Sequence, residues 1–434
     1  LFEAATDAVL GFRKDAMDDT LLSNLPGTRD ILPDEISSWH LVEDSARRIF
    51  ACYGFEEIRT PVFEATELYA RGIGGETDVV GKEMYTFNDQ SGKSMSLRPE
   101  ATASVVRAYL QHSMHRGAGL TKLYYIGPMF RHEKKQKGRW RQFYQIGAEA
   151  LGSEHPAVEA EVIEMLLSFL SSLGVQSRLL INSVGDANCR PQYIDMLRAE
   201  LRGRQGSLCD DCRRRTETNP LRVLDCKVET CQATINDLPM IADHLCSECA
   251  RHFDLVKEYL QEAAIAYEII PRLVRGLDYY VRTAFEIVSG ELGAQNALVG
   301  GGRYDGLAEV LGGSRVPGFG FAMGLDRLVM ILPQEIQARG KHPPDLFLAY
   351  LGEAAFHRAL EVARIARGNG IFCHLEFSDG SLKSQLRQAN RIGARNVLII
   401  GEEEMARGSY ILRSMDSSIQ KELTIDQLKN YLKR

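Results

Sequence analysis

Nine residues, from Arg131 to Arg139, include five Lys or Arg side chains and no aliphatic one. A polyphosphate needs fixed cations, and the planar guanidinium forks of Arg131, Arg139 and Arg141 match phosphate oxygens. His132 and Glu133 sit among them, Gly138 permits a turn, and Phe143 follows as a ring on which a base can stack. The plain alternative is a hairpin whose charges only face water. A second candidate is Leu273-Val274-Arg275-Gly276-Leu277-Asp278-Tyr279-Tyr280. An Arg, an Asp and paired Tyr amid apolar neighbours suit a pocket for a polar ligand. Paired Tyr fit half-buried strand positions equally well. The third candidate is a pair of glycine runs, Gly300 to Gly306 and Gly318 to Gly324, followed by Arg327. Glycine lets backbone come close to a ligand or to another chain segment. The pattern GxxxxGK[ST] is absent, so this is not a P-loop. Tight turns between strands would account for the glycines as well.

The cysteines form another set. Cys209 and Cys212, and Cys246 and Cys249, are CxxC pairs spaced like two halves of a Cys₄ zinc site. Cys226 and Cys231 lie between them, available to replace one ligand. Nine Cys in a long chain without an export signal favour reduced thiols or a metal over a disulfide framework. A zinc ion there would hold the segment together and take no part in catalysis; unliganded thiols are the other reading. Lys383, Arg387, Arg391 and Arg395 recur every fourth residue, a basic stripe drifting slowly around one helix face. Such stripes are usually solvated.

Together these segments resemble the class II aminoacyl-tRNA synthetases, specifically the histidyl-tRNA synthetase family. The stretch ending at Pro61 looks like the family's first motif, which forms its dimer interface. Residues 125–152 look like the second motif, and residues 318–332 like the third. LVRGLDYY at 273–280 and GGGRYDGL at 300–307 look like its histidine-specific signatures. The resemblance runs from about Leu25 to the C-terminus, and chance does not arrange five motifs in that order.

The resemblance implies roles for particular residues. Arg131 holds the α-phosphate of ATP. Glu133 and Arg139 position the adenosine and the outer phosphates, Phe143 lies under adenine, and Arg327 clamps the γ-phosphate. In Arg98-Pro99-Glu100-Ala101-Thr102, Glu100 and Thr102 receive the histidine ammonium, with Ala101 beside them. Gln145 meets the carboxylate end. Glu149 and Tyr280 bond the two imidazole nitrogens, and Tyr279 completes that pocket. Arg275 stands opposite Arg131. Arg131, Arg275 and Gln145 are thus the expected catalytic set. Gln136, and the stripe of Lys383, Arg387 and Arg391, are expected to meet tRNA. The implied reaction is in-line attack of the histidine carboxylate on the α-phosphorus, followed by transfer to the terminal ribose of tRNA(His). No side chain is an obvious general base, so an adenylate phosphate oxygen is expected to take the proton. Mg²⁺ is implied by ATP, bound mainly through phosphates.

These residues need elements to position them. Pro33 to Tyr53 reads as a helix: Pro33 suits its first position, and Ile36, Trp39, Val42, Ala46, Ile49, Phe50 and Tyr53 recur at helical spacing. Phe55 to Thr60 reads as a short strand. Leu123 to Ile126 and Arg141 to Leu151 read as strands around the cationic loop. Glu159 to Leu173 is a helix, Ala284 to Val288 a strand, and Leu325 to Leu332 a helix. Beyond His342-Pro343-Pro344, strand and helix alternate: Leu346 to Leu351, Ala354 to Arg367, Ile371 to Leu375, Ser381 to Ile392, Asn396 to Ile400, and Thr424 to Leu432.

The expected fold class is α/β in the mixed sense. An antiparallel-sheet catalytic domain takes residues 25–184 and 267–340. An insertion takes 185–266, and an α/β anticodon-binding domain takes 344–434. Residues 1–24 form a leader of open origin. It begins with Leu, and its scattered charges do not make a signal peptide. At 44% hydrophobic and 25% charged residues, the composition is that of an ordinary globular protein. No apolar run approaches the ~20 residues of a membrane helix, so no membrane partner is expected. The net charge of −6 gives no overall basic balance, and no DNA partner is expected. tRNA needs only a local basic surface. A cytoplasmic homodimer is expected. The principal rival is a non-catalytic paralogue serving as the regulatory subunit of ATP phosphoribosyltransferase; another is an RNA-binding protein that keeps the fold without aminoacylation.

Overall fold

Pro33 opens the first helix of the computed structural model, which describes residues 22–75, 77–117, 119–133, 138–292, 297–339, 342–377 and 380–431. Most of the expected leader and Gln136 lie outside these residues. The helix runs Pro33–Cys52, with Asp34 and Glu35 at the positive end of its dipole. It ends at Gly54, whose φ of +78° is the left-handed conformation that suits glycine after a helix. Its buried stripe is Trp39, Val42, Ala46, Ile49 and Phe50. Phe50 meets Tyr124, Phe169 and Phe321 edge-on, at ring separations of 5.5, 5.6 and 6.1 Å. Truncating such a residue to Ala costs roughly 3–5 kcal/mol.

That helix packs on an eight-stranded sheet. In chain order its strands are β1 (Glu56–Glu57), β2 (Thr121–Phe130), β3 (Gln142–Leu151), β4 (Arg178–Ser183), β5 (Tyr267–Ile269), β6 (Val281–Val288), β7 (Ala297–Arg303) and β8 (Gly318–Gly324). Across the sheet the order is β1-β2-β3-β8-β7-β6-β4-β5. The two edge pairs are parallel and every inner pair is antiparallel. The helix Ala157–Ser172 also lies on one face. The helix Ser247–Glu262 joins it there through Phe253, Val256 and Leu260. The last part of the expected insertion thus packs into the same hydrophobic core as this sheet.

A buried ion network fastens this layer. Nε of Arg303, at the end of β7, lies 2.5 Å from Oε1 of Glu159 on one helix. His252, on the other helix, lies 2.7 Å from the same oxygen. Burial pushes the Glu159 carboxyl up, but Arg303 and His252 outweigh it and hold it down at about 2. Removing one member would strand a buried charge, at roughly 3–5 kcal/mol.

The glycine runs bring backbone close to other segments of the chain, as expected. Gly300 to Gly302 lie in β7 and Gly318 to Gly324 form β8, where large side chains cover the sheet, while Gly306 lies in the turn after β7. A Cβ on Gly301 would sit 2.4 Å from the Gly320 carbonyl and 2.5 Å from the Phe285 ring. Likewise, a Cβ on Gly318 would meet Tyr304 at 2.4 Å.

Residues 338–434 form a second compact unit. Its sheet runs in the order Cys373–Leu375, Leu346–Tyr350, Asn396–Ile400, Ser409–Ser414, Gln420–Thr424. The first three strands are parallel and the last two antiparallel. Those last two were not anticipated: Gln420–Thr424 is polar and mostly exposed, and Ser409–Ser414 carries only the short apolar run Tyr410-Ile411-Leu412 between polar ends. The elements expected here are present within a few residues, including Glu353–Gly368 and Leu382–Arg391.

Candidate active site

β2 leads into Arg131, β3 follows Arg139, and β8 delivers the helix that begins at Leu325. The fold thereby gathers segments more than two hundred residues apart around one cleft of about 310 Å³. Its wall includes Glu100, Thr102, Arg131, Glu133, Arg139, Phe143, Gln145, Arg275, Tyr279, Tyr280 and Arg327. Every one was expected from the sequence.

Arg131 is held in place by residues that the fold brings to it from elsewhere in the chain. Its Nε donates to the Pro99 carbonyl at 2.8 Å, and its guanidinium stands over the Phe143 ring, 5.4 Å from the centroid. Glu133 accepts from Arg139 at 2.9 Å. Burial lowers the pKa of the Arg327 guanidinium below its usual value, and the like charge of Arg139 adds to that. Cations crowded together with little water favour an anion between them.

Glu100 does local work first. Its two carboxylate oxygens accept from the backbone N–H groups of Thr102 and Ala103, at 2.7 and 3.0 Å, capping the helix Thr102–Gln111. The carboxylate still borders the cleft. Gln145 is buried, and its Oε1 has no hydrogen-bond partner among the described residues. An unpaired buried oxygen at a cleft wall is a place for a ligand's donor. Tyr279 and Tyr280 lie with ring centroids 4.7 Å apart.

Two expected residues do not reach the cleft. Ala101 is buried behind it. Glu149 is wholly buried beneath the wall, its oxygens taken by hydroxyls. Thr102 donates at 2.7 Å, Tyr125 at 3.5 Å, and Tyr304 donates to the other oxygen. Burial raises its pKa to about 8, the hydroxyls only partly offsetting it. Thr102, which lines the cleft, is the residue through which Glu149 is linked to the wall here.

Arg275 carries a partner that the sequence did not reveal. Its Nη1 is ion-paired with Oε1 of Glu286 on β6. Glu286 had no local signal, because it sits in a mostly apolar strand and meets Arg275 only where its cross-strand partner Gly300 leaves room for the guanidinium. Trp140, Tyr144 and Asp326 were missed too. Asp326 accepts from the Tyr144 backbone N–H at 2.8 Å and from Arg29 at 3.2 Å, locking the second motif to the third.

The cysteines do not group as expected. Cys209 and Cys212 lie with Cys226 and Cys231, whereas Cys246 and Cys249 lie with Asp186 and Cys189. The two CxxC pairs are separate clusters, not halves of one. In the second unit Lys383, Arg387 and Arg391 are exposed along one helix, while Arg395 is paired with Asp345 at 2.7 Å.

A mostly antiparallel sheet flanked by helices, with an arginine-walled cleft built from these three motifs, is the framework of a class II aminoacyl-tRNA synthetase. Residues 27–328 match the family model for histidyl-tRNA synthetase, and residues 345–434 match the anticodon binding domain. The chain belongs to the histidyl-tRNA synthetase family and is a ligase that charges tRNA with histidine. It is 55% identical over 414 residues to a histidine–tRNA ligase of Solibacter usitatus, covering 94% of this chain and 98% of that one. Against a histidine–tRNA ligase of Syntrophotalea carbinolica the identity is 48%, with 95% and 98% covered. The apo histidyl-tRNA synthetase of S. aureus superposes with a TM-score of 0.80 at 36% identity, covering 95% of this chain and all of that one.

Proposed function

We propose that this cleft joins histidine to tRNA(His) in two steps, through a histidyl-adenylate. The observation that carries the reading is the convergence of Arg131, Arg139, Arg275 and Arg327 with the paired tyrosines on one cleft. A carboxylate attacking a phosphate brings two anions together, which cations fixed in advance must offset. Arg131 and Arg275 fill that role at the α-phosphate, and Arg139 and Arg327 at the outer phosphates. Phe143 offers its ring to adenine. The carboxylate oxygen bonds to the α-phosphorus as the bond to pyrophosphate breaks; the protein supplies position and charge, with little covalent work. Glu133 and Glu286 line the cleft and are hard carboxylate donors of the kind that would hold Mg²⁺, which would supply positive charge to offset that of the phosphates.

Histidine fits the remaining wall. Glu100 and Thr102 receive its ammonium, Gln145 its carboxylate end and Tyr280 its ring. Glu149 acts at one remove, by fixing the Thr102 and Tyr304 hydroxyls. In the second step the tRNA ribose hydroxyl attacks the activated carbonyl, and an adenylate phosphate oxygen takes its proton. The exposed stripe of Lys383, Arg387 and Arg391 would meet tRNA phosphates.

A homodimer fits the exposed apolar side chains of Val62 and Phe63, just past the first motif, and of Phe87, on another strand of the small sheet that includes Phe63, 38–49% accessible in the single chain. A cytoplasmic location fits the expected partners; among the described residues no helix is long and apolar enough to cross a membrane. The regulatory-subunit reading is weaker. A related solved structure, titled an ATP phosphoribosyltransferase regulatory subunit/histidyl-tRNA synthetase from Bacillus halodurans, is 21% identical and shares the fold alone. Histidine-dependent exchange between ATP and pyrophosphate tests the proposal. Exchange that needs histidine supports it, and none from folded protein refutes it.

A further inference from the structure

Neither cysteine cluster takes part in the chemistry above, yet each is built like a metal site. In the first, the sulfurs of Cys209, Cys212, Cys226 and Cys231 all lie within 4.8 Å of one another. Cys209 and Cys226 are 3.9 Å apart. Tetrahedral zinc, with Zn–S near 2.3 Å, places its sulfurs about 3.8 Å apart. Cys209 caps the helix Asp210–Thr218 and Cys212 lies in its first turn, so both sulfurs sit at the positive end of a helix. Backbone N–H groups of Cys209 and Val228 point at the sulfurs of Cys231 and Cys226, at 3.2 and 3.5 Å. Such bonds suit thiolates that a metal has deprotonated.

The second cluster repeats the design with one oxygen. Cys246 caps the helix Ser247–Glu262 and Cys249 lies in its first turn. Cys189 lies 3.8 Å from Cys249, and the ligand atoms of Asp186, Cys189, Cys246 and Cys249 are all within 4.8 Å of one another. The loop is shaped to the sulfur. Gly185 has φ +64°, and a Cβ there would lie 2.8 Å from the Cys189 sulfur.

This second cluster adjoins the tyrosine segment. Arg190, next to Cys189, donates to the Tyr280 carbonyl at 2.6 Å. Arg282 reaches Asp186 at 3.4 Å, and its backbone is held at φ +52° by bonds to Gly185 and Val184, each 2.7 Å. A non-glycine residue in that conformation is strained and persists only where its surroundings enforce it.

We propose that the chain binds two structural zinc ions, one in a Cys₄ site at Cys209, Cys212, Cys226 and Cys231, the other in a Cys₃Asp site at Asp186, Cys189, Cys246 and Cys249 that braces the segment carrying Tyr280. The test starts from full-length protein purified without chelator. Elemental analysis should find about two zinc per chain, and X-ray absorption should show sulfur neighbours with a minor oxygen contribution. Cys231→Ser and Cys249→Ser should each lower the content to about one. Cobalt(II) substitution of the wild-type protein, read by thiolate absorption bands, keeps the test open if a variant fails to fold. Cys249→Ser should raise the histidine KM about tenfold or more with the ATP KM unchanged, while Cys231→Ser should leave both near normal. Metal-free protein with an unshifted melting temperature, a single ion per chain, or disulfides in place of free thiols would overturn the two-site assignment. Equal effects of the two variants on the histidine KM would overturn the bracing role.

Discussion

A Cβ on Gly300 would lie 1.7 Å from Nη2 of Arg275. The bare strand at this point is what lets the guanidinium lie along β7 and reach Glu286. Gly300→Ala should therefore displace Arg275 while leaving the sheet paired. A shift of ~1 Å at a reacting centre can cost ~100-fold in rate. Single-turnover adenylate formation should fall by at least about that factor. A normal rate would show that the position of Arg275 is immaterial.

Arg275→Ala should lower histidine activation by roughly 10³–10⁵, the usual worth of an arginine at a phosphoryl transition state. Arg275→Lys should rescue only in part, since a point charge does not reproduce the fork. The ion pair with Glu286 offers a purely structural explanation. Melting temperature separates the two: an intact Tm with a crippled rate supports catalysis, whereas a lowered Tm with a near-normal rate supports structure.

Glu149 makes a prediction about pH. Its carboxyl is raised to about 8 by burial, against an ordinary value of 4.5. Between these values the folded state keeps a proton that the unfolded state has lost. Its contribution to stability is thus complete below about 4.5 and declines as pH rises through 8, by at most about 1.4 kcal/mol per pH unit. Gln mimics the protonated form, so Glu149→Gln should flatten the fall in Tm between pH 5.5 and 8. Parallel curves for the two proteins would contradict the shift. The same variant should raise the histidine KM more than the ATP KM.

Removing residues 338–434, a compact unit of their own, should reduce tRNA charging far more than pyrophosphate exchange. Equal loss of both, in a folded truncation, would count against this division of labour. In the full chain, Ala at Lys383, Arg387 and Arg391 should lessen the salt dependence of tRNA binding, lowering the log–log slope by about 2. An unchanged slope would return the stripe to a solvated face.

The residue types of the site and their order along the chain were legible without a structure. Arg131, Arg139, Arg275 and Arg327 announce phosphate binding because few other side chains do that chemistry, and the first helix announces itself through its period. Tertiary structure alone decided which residues meet. The CxxC spacing of Cys209–Cys212 and Cys246–Cys249 suggested one site, because local spacing reports only on pairs; the path of the chain through Cys226 and Cys231 split it into two. The glycines announced a close approach of backbone to something, with tight turns as the alternative, but not what comes close. Their reason lies across the sheet, in the bulk of Arg275, Phe285, Tyr304 and Glu149. Glu149 was expected beside the histidine ring; its burial and its bond from Thr102 came only from the structure, because depth is set by what packs over a strand and leaves no trace in the strand itself.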